Sequence, residues 1–141
     1  MLSPVKNMKS MTNKTTHRLE PLLNPASIAI VGASNNAARI GGMPIAHLTK
    51  FGYQGKIFPI NPKYEEVFGQ RCYADIESLP EAPDLVVLAI AAPDVLAMLK
   101  RCAAKGARAV IVYAAGFAEE GDKGAALQAE LEAYVATTNL V

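Results

Sequence analysis

The chain has 141 residues, enough for one domain with a buried core, and half of it (51%) is apolar with few aromatics and no Trp. A formal net charge of +1, with the charges scattered rather than blocked, excludes a polyanion-binding surface and therefore nucleic acid as a partner. No run approaches the roughly 20 apolar residues of a membrane span, so no membrane association is expected either.

Residues 1–20 carry Lys6, Lys9, Lys14 and Arg18 with no acid before Glu20, and no apolar stretch follows them. That excludes a secretory signal and predicts a poorly ordered leader, an organelle presequence being the alternative. Leu22–Pro25 reads as a turn. Ser27–Val31 is a short run rich in β-branched residues between Pro25 and Gly32, and predicts the first strand. Pro44–Lys50 predicts a helix stopped by Gly52. Lys56–Ile60 predicts the second strand, with Pro59 placed where no ladder bond is needed. Asn61–Gly69 reads as a loop, Cys72-Tyr73 as a brief extended piece and Asp75–Leu79 as a short helix. Leu85–Ile90 is a near-continuous apolar run of the kind covered on both faces in parallel sheets. A helix from Asp94 to about Lys105, a strand at Ala109–Tyr113 and a helix at Gly121–Thr137 complete the order. In the last helix Leu127, Leu131, Tyr134 and Val135 share the inner side. Asn139–Val141 reads as the entry to a further strand, so the chain is expected to continue into a following domain. The order predicts one α/β domain over 21–141, with a Rossmann-like, doubly wound parallel sheet.

The first strand ends in Gly32-Ala33-Ser34-Asn35-Asn36, a small polar turn leading to a helix. Free amides and the helix dipole attract an anion there when small residues let it approach. Gly32 permits the turn, Ser34 offers a hydroxyl, Asn35 and Asn36 offer amides, and Arg39 offers charge to a second phosphate. Gly41 and Gly42 fall where the helix should press close. The spacing is not G-x-G-x-x-G, and the second strand ends Ile60-Asn61-Pro62-Lys63 instead of in an acid for an NAD ribose. A cation there suits a ribose phosphate, which leaves NADP or coenzyme A. Ala91-Ala92-Pro93 and Ala114-Ala115-Gly116 follow the next two strands and can pave a flat slot at the same sheet edge.

Cys72 and Cys102 have no metal-ligand spacing, and only His17 and His47 could join them, so no metal is expected and a reducing cytoplasm is. His17 lies in the leader and His47 inside a helix. No nucleophile has a base with an orienting partner, so no catalytic residue is assigned.

Several stretches occur in order: Leu23-Asn24-Pro25-x-Ser27-Ile-Ala-Ile-Val-Gly32-Ala-Ser34, Ile60-Asn61-Pro62-Lys63-Tyr64-x-Glu66-Val67-x-Gly69, Cys72-Tyr73, Leu79-Pro80-x-x-Pro83-Asp84-Leu85 and Ala115-Gly116-Phe117-Ala118-Glu119. From about Leu22 onward the chain thereby resembles the CoA-binding domain of NDP-forming acyl-CoA synthetases, which is similar to the succinyl-CoA synthetase α subunit. The resemblance implies coenzyme A as ligand, with Gly32, Ala33, Ser34, Asn35, Asn36 and Arg39 at its phosphates. It implies Ile60, Pro62 and Lys63 at a further CoA phosphate, and Ala91 and Pro93 on the adenine side. Ala114, Ala115 and Gly116 would make backbone contacts, the family's polar side chains being absent there. It further implies an acid–thiol ligase whose acyl-phosphate chemistry and active-site histidine lie in other domains or in a β-type subunit, this chain binding CoA without turnover. A stand-alone CoA-binding regulatory protein and a fragment of an NADP-dependent oxidoreductase are the alternatives.

Overall fold

A computed structural model describes residues 18–114 and 116–141. Four parallel strands form the sheet: β1 (Ser27–Val31), β2 (Lys56–Ile60), β5 (Leu85–Leu88) and β6 (Ala109–Val112), in the order β2-β1-β5-β6. Helix α2 (Met43–Lys50) carries the chain from β1 to β2, and α3 (Ala92–Lys105) from β5 to β6. β2 is added on one side of β1, and β5 and β6 on the other. The direction of winding therefore reverses between β1 and β5, the place where open α/β sheets leave a crevice at their carboxyl ends. This is the Rossmann-like arrangement expected from the sequence.

The two-residue period of the strands divides the interior into two cores. Ile28, Ile30, Leu85, Val87 and Ala109 face one side with Ile45 of α2, and Leu22 and Leu48 lean on them. Ala29, Val31, Phe58, Ile60, Val86 and Leu88 face the other side with Val95 and Cys102 of α3. Both faces are covered, which explains why β1 is apolar after Ser27 and β5 is apolar throughout. Full burial of each Ile, Leu or Val contributes about 1.5–3 kcal/mol. Pro59 causes no loss in β2. The Lys56 amide donates to the Ala26 carbonyl and Ile60 accepts from Gly32, so these residues face β1 and Pro59 faces outward, where its carbonyl accepts from Tyr73.

The structure departs from the sequence reading in several places. The turn at Leu22–Pro25 is preceded by a one-turn helix, α1 (Glu20–Leu23). The stretch 61–69 is not only loop, because β3 (Glu66–Val67) pairs antiparallel with β4 (Gln70–Arg71) through Phe68, whose φ is +48°, and Gly69. Asp75–Leu79 is a hydrogen-bonded turn and not a helix: the Ser78 amide donates to Asp75 Oδ1 and Leu79 to the Ile76 carbonyl. Arg101 and Lys105 of α3 clamp that turn, Arg101 on the Glu77 carboxylate and Lys105 on the Glu77 and Leu79 carbonyls. β5 stops at Leu88 and not Ile90, since the chain leaves the sheet after the Ala89 amide donates to Val31. Helix α3 starts at Ala92, two residues before Asp94. The last helix, α4, spans Asp122–Val135. Its expected inner residues Leu127, Leu131, Tyr134 and Val135 are half-buried, while Gly124 is its buried position. At the end of the chain Val141 donates to the Arg108 carbonyl and accepts from the Val110 amide, two bonds of a parallel pairing beside β6. The leader expectation concerns residues 1–20, of which 1–17 lie outside the described residues.

Candidate functional site

The carboxyl ends of the four strands deliver four turns to one edge of the sheet, and the turn after β1 is the most constrained. Gly32 has φ +86°, and a Cβ on it would overlap the Ala89 carbonyl. A left-handed backbone and a close strand-to-strand approach therefore coincide at one residue, which only glycine tolerates. The amides of Gly32 and Ala33 both donate to the Ile60 carbonyl and fasten the turn to the end of β2. Gly41 sits against the Gly32 carbonyl, and Gly42 against those of Ser34 and Asn36, so the entry to α2 presses directly on the turn. The Ser34 amide closes the loop by donating to the Gly41 carbonyl.

Ser34 Oγ accepts from the Asn36 amide (3.1 Å), which leaves its hydroxyl proton to donate elsewhere. Asn36 Oδ1 accepts from Ala38. Asn35 turns away from the turn. Its Nδ2 donates to the Glu66 carbonyl and its Oδ1 accepts from the Phe68 amide, so the side chain ties the turn to the β3–β4 hairpin. The amides of Asn35, Ala37, Ile40 and Gly41 have no partner among the described residues. Asn35, Ala37 and Ile40 are exposed and Gly41 is buried, and unpaired donors on an exposed, glycine-rich turn are the chemistry an anion requires.

Asn61 organises the turn after β2. Its Nδ2 donates to the Ala33 carbonyl and its Oδ1 accepts from the Lys63 amide, both at 2.9 Å, which links the β1 turn to Pro62-Lys63. Sequence reasoning missed Asn61 as a site-building residue; the Asn-Pro-Lys turn signal was its only trace. Lys63 and Arg39 are both exposed, and neither joins an ion pair among the described residues. Ile60 is buried beneath them. Cys72 lies behind Asn61, where burial raises its thiol pKa and a hydrogen bond to the Asn61 backbone opposes the rise.

Ala91 is the extended cap of α3, with no side-chain cap bond, and Pro93 stands in the first helical turn. The start of this helix therefore opens on the same edge. After β6, Ala114 is half-buried, and Ala115 lies outside the described residues. Gly116 has φ +109°, and its amide and that of Phe117 donate to Glu119 Oε1. Backbone amides, Glu119's own first and then these two, hold that carboxyl below the usual carboxylate range. His17 lies outside the described residues. His47 is exposed on α2, its ring edge-on to Phe51. Among the described residues no group of His, Cys, Asp and Glu is disposed to hold a metal ion, and no helix is long and apolar enough to cross a membrane.

Residues 26–140 match the family model for a CoA binding domain, a span that contains every turn just described. The chain belongs to the CoA-binding domain family. The ligand of this CoA-binding domain is coenzyme A. It is 36% identical, over 90% of its length, to a trans-feruloyl-CoA synthase from an unknown prokaryotic organism. It is 35% identical, over 76% of its length, to an ADP-forming acetate–CoA ligase of Archaeoglobus fulgidus. It spans only 18% and 16% of those two proteins, so it corresponds to a small part of each. Among solved structures it is similar to the dinucleotide forming acetyl-coenzyme A synthetase 1 of Ca. Korarchaeum cryptofilum in complex with phosphate and ADP. The TM-score is 0.75 at 35% identity, with 80% of this chain and 24% of that one covered.

Proposed function

We propose that this domain is the CoA-holding part of an NDP-forming acyl-CoA synthetase, an acid–thiol ligase, and supplies no catalytic side chain itself. In the complete enzyme the reaction would be acid + CoA + ATP ⇌ acyl-CoA + ADP + phosphate. Phosphoryl transfer and acyl-phosphate formation would belong to other domains or to a β-type subunit, in the cytoplasm. The observation that carries this reading is the glycine-rich β1 turn with amides unpaired among the described residues, together with the exposed cations Arg39 and Lys63. The Ser34 hydroxyl, Asn36, Arg39 and the amides of Asn35 and Ala37, on the turn that Gly32 and Ala33 shape, would hold the diphosphate. Lys63, positioned by Ile60 and Pro62, would hold the ribose phosphate. Ala91 and Pro93 would line the adenine side, and Ala114, Ala115 and Gly116 would offer backbone to the arm. Asn35 would act through the hairpin that it anchors. The similarity to synthetases and ligases whose names specify CoA chemistry supports the assignment.

Calorimetric titration of the chain with CoA and dephospho-CoA tests it. CoA should bind about 10–100-fold more tightly, the worth of a charge-assisted phosphate contact, and Lys63→Glu should abolish the difference. Equal affinities in the wild type would remove the role given to Lys63. Binding of NADPH with no binding of CoA would favour the oxidoreductase alternative.

A further inference from the structure

One cleft at the carboxyl edge is not used by the contacts assigned above. It is lined by Ile40, Met43, Pro44, His47 and Tyr113 and encloses about 190 Å³. Ile40, Met43 and Tyr113 are 58%, 42% and 51% exposed. A single exposed apolar side chain is ordinary, but three around one cleft indicate a surface that something covers.

The position of the cleft indicates what covers it. Ile40 lies in the loop fastened to the phosphate turn by the Ser34–Gly41 hydrogen bond and by the contact of Gly41 with Gly32. Tyr113 is fixed at the end of β6 by donating its amide to Leu88. The order β2-β1-β5-β6 places Lys63 and Tyr113 at opposite ends of the edge, three strand spacings or roughly 14 Å apart. A CoA held by its phosphates at Lys63 and the β1 turn therefore extends its arm past Ala89 and Ile90 toward Tyr113. The two amides of that arm need hydrogen-bond partners, which turn backbone provides. The cleft beyond is hydrocarbon apart from the polar atoms of His47 and Tyr113, so it suits what is attached beyond the sulfur.

We propose that this cleft seats the acyl end of an acyl-CoA and favours uncharged hydrocarbon acyl groups over carboxylated ones. The proposal rests on the carboxyl edge being the CoA site. No Lys or Arg lines the cleft, so an acyl carboxylate there would lose water and meet only His47 and Tyr113 as polar side chains.

Calorimetry on the whole chain with adenosine 3′,5′-bisphosphate, CoA, butyryl-CoA and succinyl-CoA tests it. Butyryl-CoA should bind about 5–10-fold more tightly than CoA, and succinyl-CoA no more tightly than CoA. The variant Met43→Ser should lose the butyryl preference while its affinity for the bisphosphate stays within roughly twofold. Tyr113→Ser is a second variant at the far wall with the same expectation. Both side chains are exposed, so the fold should survive, as an unchanged Tm would show. Equal affinities of wild type for CoA and butyryl-CoA, or a preference that persists in both variants, would overturn the acyl seat and leave the CoA site standing. If wild type binds neither CoA nor the bisphosphate, the CoA-site reading itself fails and the acyl seat with it.

Discussion

Asn35 and Asn61 show how little of the site's polarity is free to reach a ligand. Their amides hold the β1 turn against the β3–β4 hairpin and the Lys63 turn, so they fix the positions of neighbouring backbone donors. Two other residues give direct tests of the surrounding fold. Burial pushes the Cys102 thiol up to about 12, so almost none of it is thiolate at pH 8. A disulfide reagent should label Cys102 far more slowly in the native chain than in urea, read by mass spectrometry, and rapid native labelling would contradict the packing of α3. Hydrogen bonding from Arg101 holds the Glu77 carboxyl down at about 2, compared with the ordinary 4.5. Because the folded value is depressed, the contribution is present above pH 4.5 and disappears as pH falls toward 2. The Glu77 side chain is 55% exposed, so Glu77→Gln should cost less than about 1 kcal/mol at pH 7. Urea unfolding of both proteins should show that gap narrowing between pH 4.5 and 2.

At the scale of elements, the turn after β1 depends on missing side chains. A methyl group at Gly41 would collide with the Gly32 carbonyl, which β1 and β2 already hold in place. Gly41→Ala should therefore destabilise the chain by about 2–4 kcal/mol and weaken CoA binding as well, both measurable in one set of ligand-dependent melts. A neutral result would mean that the loop before α2 can move away from the turn. The sheet was legible because IAIV and LVVL are uninterrupted apolar runs that follow closely on Pro25 and Pro83, and a doubly covered parallel strand requires that pattern. The hairpin was not legible. Its strands are two residues each, mostly polar, and joined through Phe68 in a left-handed conformation that no turn propensity announces. Asp75–Leu79 forms a turn where the sequence predicts a helix, because its anchors, Arg101 and Lys105, come from α3, about 25 residues later. In the site, the glycines, Ser34 and Lys63 were visible as residues. That Asn35 faces the hairpin depends on Glu66 and Phe68, which local sequence does not connect to it.

For the molecule as a whole, the two ends of the sheet should respond differently to ligand. The carboxyl edge carries the amides of Asn35, Ala37, Ile40 and Gly41, which have no partner among the described residues. The opposite edge carries a cleft of about 580 Å³ with Arg18, Arg108 and Val141 among its lining residues, and it has no glycine-rich turn. Volume alone would favour that cleft as a ligand site, but unpaired amides beside exposed cations are what bind a phosphate. CoA at about 100 times its Kd should add about 2.7 kcal/mol of stability, a rise in Tm of roughly 8–10 °C for a chain of this size. Hydrogen exchange should slow locally at residues 34–41 and 113–117, beyond the uniform effect of added stability, and Ala107–Ala109 should show only that uniform effect. Local protection at 107–109 instead would move the ligand to the wrong end of the sheet, since a CoA lying along the carboxyl edge cannot reach the start of β6.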